Sequence, residues 1–182
     1  TSPRDAMEFL QSQSAEARSR ALPEIMRRWM SQEPGQAQAV WAALPESDRL
    51  GASAELAAKL AVNPNASSVA LLSALPDVPP AAFKEAASNW IASDPEQASA
   101  WVDTLAPGAG RDAAVGSLVE SLVGQEWDPE RAVVWAGTIG DAAQRLTSLR
   151  TTLEIWSLRD PSAAQSARQS LSAEDQQALT NP

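Results

Sequence analysis

The sequence contains no histidine, no cysteine and no tyrosine. Without cysteine there are no disulfides, no thiolate metal sites and no thiol nucleophile. Without histidine there is no Ser–His couple and no imidazole ligand. Only two lysines occur, Lys59 and Lys84, and neither sits in a Ser-x-x-Lys pattern that would mark a lysine base. No Asp-rich loop with a central glycine suits calcium. Neither a cofactor nor a metal is expected. No apolar run approaches the ~20 residues of a membrane span, and the first residues, TSPRDAMEF, lack a basic-then-apolar signal layout. A soluble chain without membrane insertion is expected. The start at Thr1 fits a mature or excised piece of a longer protein.

Charge is unevenly distributed. The formal net charge is −9 overall, +1 over residues 1–31, −9 over 32–128 and −1 over 129–182. An acidic middle repels phosphate backbones and favours basic partners. Nucleic acid is therefore not expected as a ligand.

What is abundant is alanine, a strong helix former that permits close helix–helix approach. β-branched residues are sparse and no stretch alternates as a strand does. Proline gives the ruler. Pro3, Pro34, Pro64, Pro95, Pro129 and Pro161 are spaced 31, 30, 31, 34 and 32 residues apart. They follow Ser2, Glu33, Asn63, Asp94, Asp128 and Asp160, of which all but Glu33 are good N-caps. Proline in the first turn costs nothing, because its missing N–H would be unpaired there anyway. Each pair announces a helix start.

A short apolar stripe follows each proline. It comprises Ala6, Phe9 and Leu10 in the first unit and Ala37, Val40, Trp41 and Leu44 in the second. Ala98, Trp101 and Leu105 form it in the fourth, and Ala132, Trp135 and Ile139 in the fifth. Spacings of three and four put these on one helical face. Breakers such as Leu44-Pro45 and Ala106-Pro107-Gly108 end the short helices, and a longer helical pattern follows, as at 81–92 or 142–158. Pro23, inside the first long pattern, predicts a kink or a division into two helices. Ser172 and Asp175 predict a cap for a truncated last helix. The chain thus reads as one all-α domain over 1–182. It comprises about six helix-turn-helix units of 30–34 residues, with only neighbours to cover each apolar face.

The run Asp94-Pro95-x-x-Ala98-x-Ala100-Trp101 resembles the junction of tetratricopeptide repeats, and Asp128-Pro129 to Trp135 matches at the same steps. The Leu-Gly pair of that family is replaced by Leu-x-Pro or Ile-Gly. The resemblance implies a right-handed superhelix of antiparallel helix pairs whose groove binds peptides or proteins.

Seven tryptophans invite a sugar- or peptide-stacking role, but their recurrence in phase fits packing between units. Trp41, Trp90, Trp101, Trp135 and Trp156 are expected to be largely buried, with Trp90 and Trp101 meeting across a junction. Trp127, displaced by the 34-residue spacing that ends at Pro129, is expected to be partly exposed. Arg20, Arg27 and Arg28 form a basic cluster able to meet an acidic partner, with Glu16 and Glu24 four residues before Arg20 and Arg28 as intrahelical mates. Gln38, Ser99 and Asp103, polar residues of the short helical stretches, complete the candidate partner-binding set with Trp127. No catalytic residue is assigned. The expectation is a non-enzymatic scaffold for a protein or peptide, basic if charge decides. The alternative is an α/α enzyme or carbohydrate-binding domain working through carboxylates alone, which would need a pair held at ~5–9.5 Å.

Overall fold

The computed structural model describes residues 3–180, and among them every regular element is helical. Short and long helices alternate. The short ones are α1 (Pro3–Gln11), α3 (Pro34–Ala43), α5 (Ala66–Ala74), α7 (Pro95–Thr104), α9 (Pro129–Gly137) and α11 (Pro161–Ser170). The long ones are α2 (Ala15–Gln32), α4 (Glu46–Val62), α6 (Pro80–Ser93), α8 (Ala109–Ser121) and α10 (Ala142–Ser157), with a last helix α12 (Ala173–Thr180). A π-helical turn over Leu122–Glu126 continues α8.

The helix starts follow from capping chemistry. Asp94 Oδ1 accepts the Gln97 N–H at 3.0 Å, Asp128 Oδ1 that of Arg131 at 3.1 Å, and Asp160 Oδ1 that of Ala163 at 2.9 Å. The Ala163 N–H, aided by Ser162, holds the Asp160 carboxyl below its ordinary range. Pro34, Pro95, Pro129 and Pro161 each occupy a first helical turn. Pro64 does not. Asn65 caps α5 instead, accepting from the Ser67 and Ser68 N–H groups, while Ser68 Oγ accepts from the Asn65 N–H. That reciprocal box needs Asn65 extended, which moves the start past the proline. Glu33 gives α3 no side-chain cap, and the cap expected of Ser2 lies outside the described residues. Ser172 caps α12 as anticipated, its Oγ accepting from the Asp175 N–H at 3.1 Å. Pro23 does not divide the first long segment; α2 runs through it as one helix, with Pro23 buried.

The core is one cluster running through the chain. Each long helix packs on the next, α2 on α4, α4 on α6, α6 on α8 and α8 on α10, and the short helices pack against their long neighbours. Alanine makes this approach close: Ala52, Ala57, Ala61, Ala86, Ala87 and Ala114 are wholly buried. At Gly110 a Cβ would lie 2.7 Å from Cδ2 of Phe83, so only glycine lets α8 settle on that ring.

The tryptophans divide. Trp41, Trp90 and Trp101 are buried, and the Trp90 and Trp101 rings meet across the junction at 5.9 Å between centroids. Phe83 stacks with Trp101, 6.3 Å between ring centroids. Trp135 and Trp156 are only half-buried, contrary to the sequence pattern, because Trp156 lies where α9, α10 and α11 leave a shallow hollow and Trp135 lines a second hollow with Ser99, Leu122 and Glu126. In α1 the buried residues are Met7 and Leu10, and Phe9 faces solvent.

Three buried aspartates, in the first turns of α4, α8 and α12, tie successive layers. Arg18 donates to both Asp48 oxygens, at 3.0 and 3.1 Å, and to the Gln13 carbonyl at 2.8 Å. Arg145 repeats the arrangement, donating to Asp175 at 3.0 Å and to the Ile139 carbonyl at 3.1 Å. Asp112 accepts from the Gly140 and Asp141 N–H groups at 2.8 and 2.9 Å. Burial pushes the Asp175 carboxyl upward, but the hydrogen bonds from Arg145 and Ser172 and the arginine charge outweigh it, and the net shift is below the ordinary 3.8.

Two outcomes follow. Asp94→Asn should leave stability nearly unchanged, since asparagine caps equally well, whereas Asp94→Ala should cost ~0.5–2 kcal/mol in denaturant titration. For Asp175 the folded-state carboxyl lies below 3.8, so its stabilisation is complete above that value and is lost as pH falls through the lower folded one. The stability gap between wild type and Asp175→Asn should therefore close on acidification. A gap that widened with falling pH would contradict the ion pair.

Candidate functional site

The row of long helices is uneven. α6 and α8 interlock, with Ser88 Oγ donating to Ser117 Oγ at 3.0 Å and Ser117 Oγ to the Lys84 carbonyl at 3.1 Å. α8 and α10 instead are joined at their two ends. At the N-terminal ends Asp112 holds the start of α10, and Gln144 Nε2 donates to the Asp112 carbonyl at 2.9 Å. At the C-terminal ends the Arg159 guanidinium carbon lies 3.7 Å from the centroid of the Trp127 ring. Between these ties a groove of about 690 Å³ opens.

Each wall is one helical face. On α8 and its π-helical extension the lining includes Ala113, Gly116, Glu120, Val123 and Gly124, steps of three and four. On α10 it is two rows at steps of four: Ala143, Thr147, Thr151 and Ile155, and Gln144, Ser148 and Thr152. Val119 and Thr152 are the buried members, while Thr147, Thr151 and Ile155 are exposed at the lip. Lys84 and Glu120 stand on the α8 side, paired with each other at 2.9 Å.

Thr152 is the anomaly. Its residue is 1% exposed, yet Oγ1 has no hydrogen-bond partner. Threonine in a helix ordinarily bonds the carbonyl four residues back, as Thr147 Oγ1 does to Ala143 at 2.8 Å. Ser121 Oγ, at the end of α8, is likewise buried and unpartnered.

The π turn also places strain at this end. Trp127 adopts φ 51, ψ 55, a left-handed conformation that a bulky residue avoids. The N–H groups of Trp127 and Asp128 both reach the Leu122 carbonyl. The extra residues of the 34-residue step from Pro95 to Pro129 are thus absorbed beside the groove. Trp127 is half-buried, in line with its displaced position in the sequence.

The other sequence candidates lie apart. Arg20, Arg27 and Arg28 are exposed on α2. Arg20 pairs with Glu16 at 2.6 Å, but Glu24 pairs with Arg27 and with Lys59, not with Arg28, because Lys59 of α4 draws it to that side. The Arg27 hydrogen bond contributes most to holding the Glu24 carboxyl below its ordinary value. Gln38 Nε2 donates to the Ser67 carbonyl at 3.3 Å and so ties α3 to α5. Asp103 is exposed. Ser99 lines a hollow of about 230 Å³ with Glu96, Glu126 and Arg131, in which both carboxylates are exposed. Among the described residues no group of three or more carboxylates is placed to hold a metal ion, and no helix is long and apolar enough to cross a membrane.

Apart from Trp127 at its end, the groove comprises residues that sequence reasoning did not select. A signal was available: along α10 the positions at steps of four carry Thr147, Thr151, Ser148 and Thr152 where other long helices carry core-forming alanine and leucine.

Replacing a buried, unpaired hydroxyl with an isosteric methyl removes a desolvation cost of ~1–3 kcal/mol. Thr152→Val should therefore stabilise the unliganded protein by up to about that amount. A loss of stability in equilibrium denaturation would show that the hydroxyl is satisfied.

No family model, no curated protein and no solved structure matches this chain.

Proposed function

We propose that the chain is a non-enzymatic scaffold that binds a protein or peptide partner in the groove between α8 and α10. It is read as a right-handed solenoid of about six tetratricopeptide-like helical hairpins. In support, each long helix packs on the next in order, and polar links recur at a step near one unit: Arg18 to Asp48, Gln38 to Ser67, Ser88 to Ser117 and Arg145 to Asp175.

The observation that carries the binding reading is the groove itself, apolar in its depth, with a buried hydroxyl left unpaired. Apolar clefts with a few placed polar groups are the usual form of binding sites. An enzymatic reading has less behind it. Glu120, the one carboxylate lining the groove, is paired with Lys84, and no nucleophile–base couple lines it.

A displayed peptide library selected on the wild type provides the test. Thr151→Trp, at the lip, fills the groove without disturbing the buried core. Selected peptides should bind this variant about tenfold or more weakly while its melting temperature stays unchanged, the loss given by blocking a hot-spot pocket. Peptides that bind wild type and Thr151→Trp equally would place the interaction elsewhere.

A further inference from the structure

Resting on that reading, we infer that the occupant of the α8–α10 groove is an amphipathic helix of about three turns. It is flanked by basic residues and carries one hydroxyl or amide side chain that pairs with Thr152. Four observations combine.

The first is the state of the walls. Both are helices whose backbone groups are bonded within the helix, so the groove offers no ladder to an extended strand. An extended peptide would bury unpaired N–H and C=O groups in an apolar slot. A helix satisfies its own and needs only an apolar stripe.

The second is length. The lining of the α8 wall runs from Ala113 to Gly124, about 16 Å at 1.5 Å per residue. Asp112 with Gln144 closes one end and Trp127 with Arg159 spans the other. A guest of about three turns fills this interval. The small residues Ala113, Gly116 and Ala143 leave room for aliphatic side chains between the walls.

The third is polarity. Thr152 lines the groove, is almost fully buried and has an unused donor and acceptor on Oγ1. A hydroxyl or amide in the guest stripe supplies the missing partner.

The fourth is charge. Lys84 and Glu120, the charged residues of the lining, pair with each other, and Arg159 at the far end is held over the Trp127 ring. The chain carries −9 in all. Lysine or arginine on the guest's flanks meets this field, which also speeds encounter.

The test uses a lactam-locked helical peptide of about three turns. It has an Ala/Val/Leu stripe, one serine in that stripe and lysine flanks. Comparators are the same peptide interrupted by proline, a glutamate-flanked version and a Ser→Ala version. Affinities are measured by fluorescence polarisation against wild type, Thr151→Trp and Thr152→Val.

The locked helix should bind wild type about tenfold or more tightly than the proline-interrupted peptide, the gain from preorganisation. The glutamate flanks should weaken binding, and added salt should reduce the difference. Ser→Ala should weaken binding to wild type about threefold or more and leave Thr152→Val unaffected, the signature of a direct pair.

Equal binding of the interrupted and locked peptides, both abolished by Thr151→Trp, would overturn the helical guest while leaving a peptide-binding groove. Indifference of every peptide to Thr151→Trp would overturn the groove as the site. Tighter binding of the glutamate-flanked peptide, or additive effects of Ser→Ala and Thr152→Val, would overturn the chemistry assigned here. Sedimentation showing a wild-type dimer dissociated by Thr151→Trp would make a second copy of this chain the occupant and overturn the proposal.

Discussion

The close approach of one long helix to the next, made possible by alanine, is what the rest of the structure depends on. Alanine has no side-chain entropy to lose, and in a helix it lets neighbouring backbones come near. Ala52, Ala57, Ala61, Ala86, Ala87 and Ala114 are all at 0% exposure, and the larger Leu56, Leu72, Val102 and Val115 fill what space they leave. A single helix pair has too little apolar surface to outweigh its ordering entropy. The neighbouring pair supplies the remaining cover, so stability is built along the row. The same dependence makes the row sensitive to local composition. Where α10 substitutes hydroxyls for alanine and leucine on its α8-facing side, the driving force for closure falls and a groove remains.

Close packing sets the distance between layers but not their register. A face of small alanines is smooth, and sliding along it costs little. The buried aspartates Asp48, Asp112 and Asp175 correct this, because each has partners at only one relative position of two helices. Arg18 and Arg145 use the fork of the guanidinium to hold an aspartate and a loop carbonyl together. Breaking such a pair leaves a charge buried without its mate, which costs more than forming the pair gains. Asp112 has no arginine. It is satisfied by the two backbone N–H groups that begin the link into α10, so it positions that helix without tilting it onto α8 along its length.

Much of the architecture was legible in the sequence. The pairs Asp94-Pro95, Asp128-Pro129 and Asp160-Pro161 mark helix starts because capping is local chemistry, settled within four residues. Asn63-Pro64 misled for the same reason: a stronger local option, the box formed by Asn65 and Ser68, lies two residues on. Burial was harder to read. The pattern that buries Trp101 is also present at Trp135 and Trp156, yet those rings stay half-exposed, because burial depends on what the next layer brings. Pro23 sits within α2 since its ring is buried in a face that the rest of the helix holds in place. The groove was legible only through the hydroxyl rows of α10, because it arises from the separation of two helices, a tertiary quantity with no other local signature.

The extra residues between Pro95 and Pro129 show how this fold treats an irregularity. They could have been expelled as a surface loop, at small entropic cost. Instead they are wound into a π turn that ends in a left-handed tryptophan, a conformation that costs of order 1–3 kcal/mol. Such strain persists only where surrounding contacts over-determine it. Here Leu122 is buried and its carbonyl takes two N–H donors, while the Arg159 guanidinium lies over the Trp127 ring. A cation–π contact at an exposed site recovers about 0.5–1 kcal/mol, which does not by itself offset the backbone cost. The remainder has to come from the burial of Leu122 and from the two N–H donors on its carbonyl, contacts that an expelled loop would give up. Strain and groove thus coincide, because the irregular segment carries Val123 and Gly124 of the groove wall.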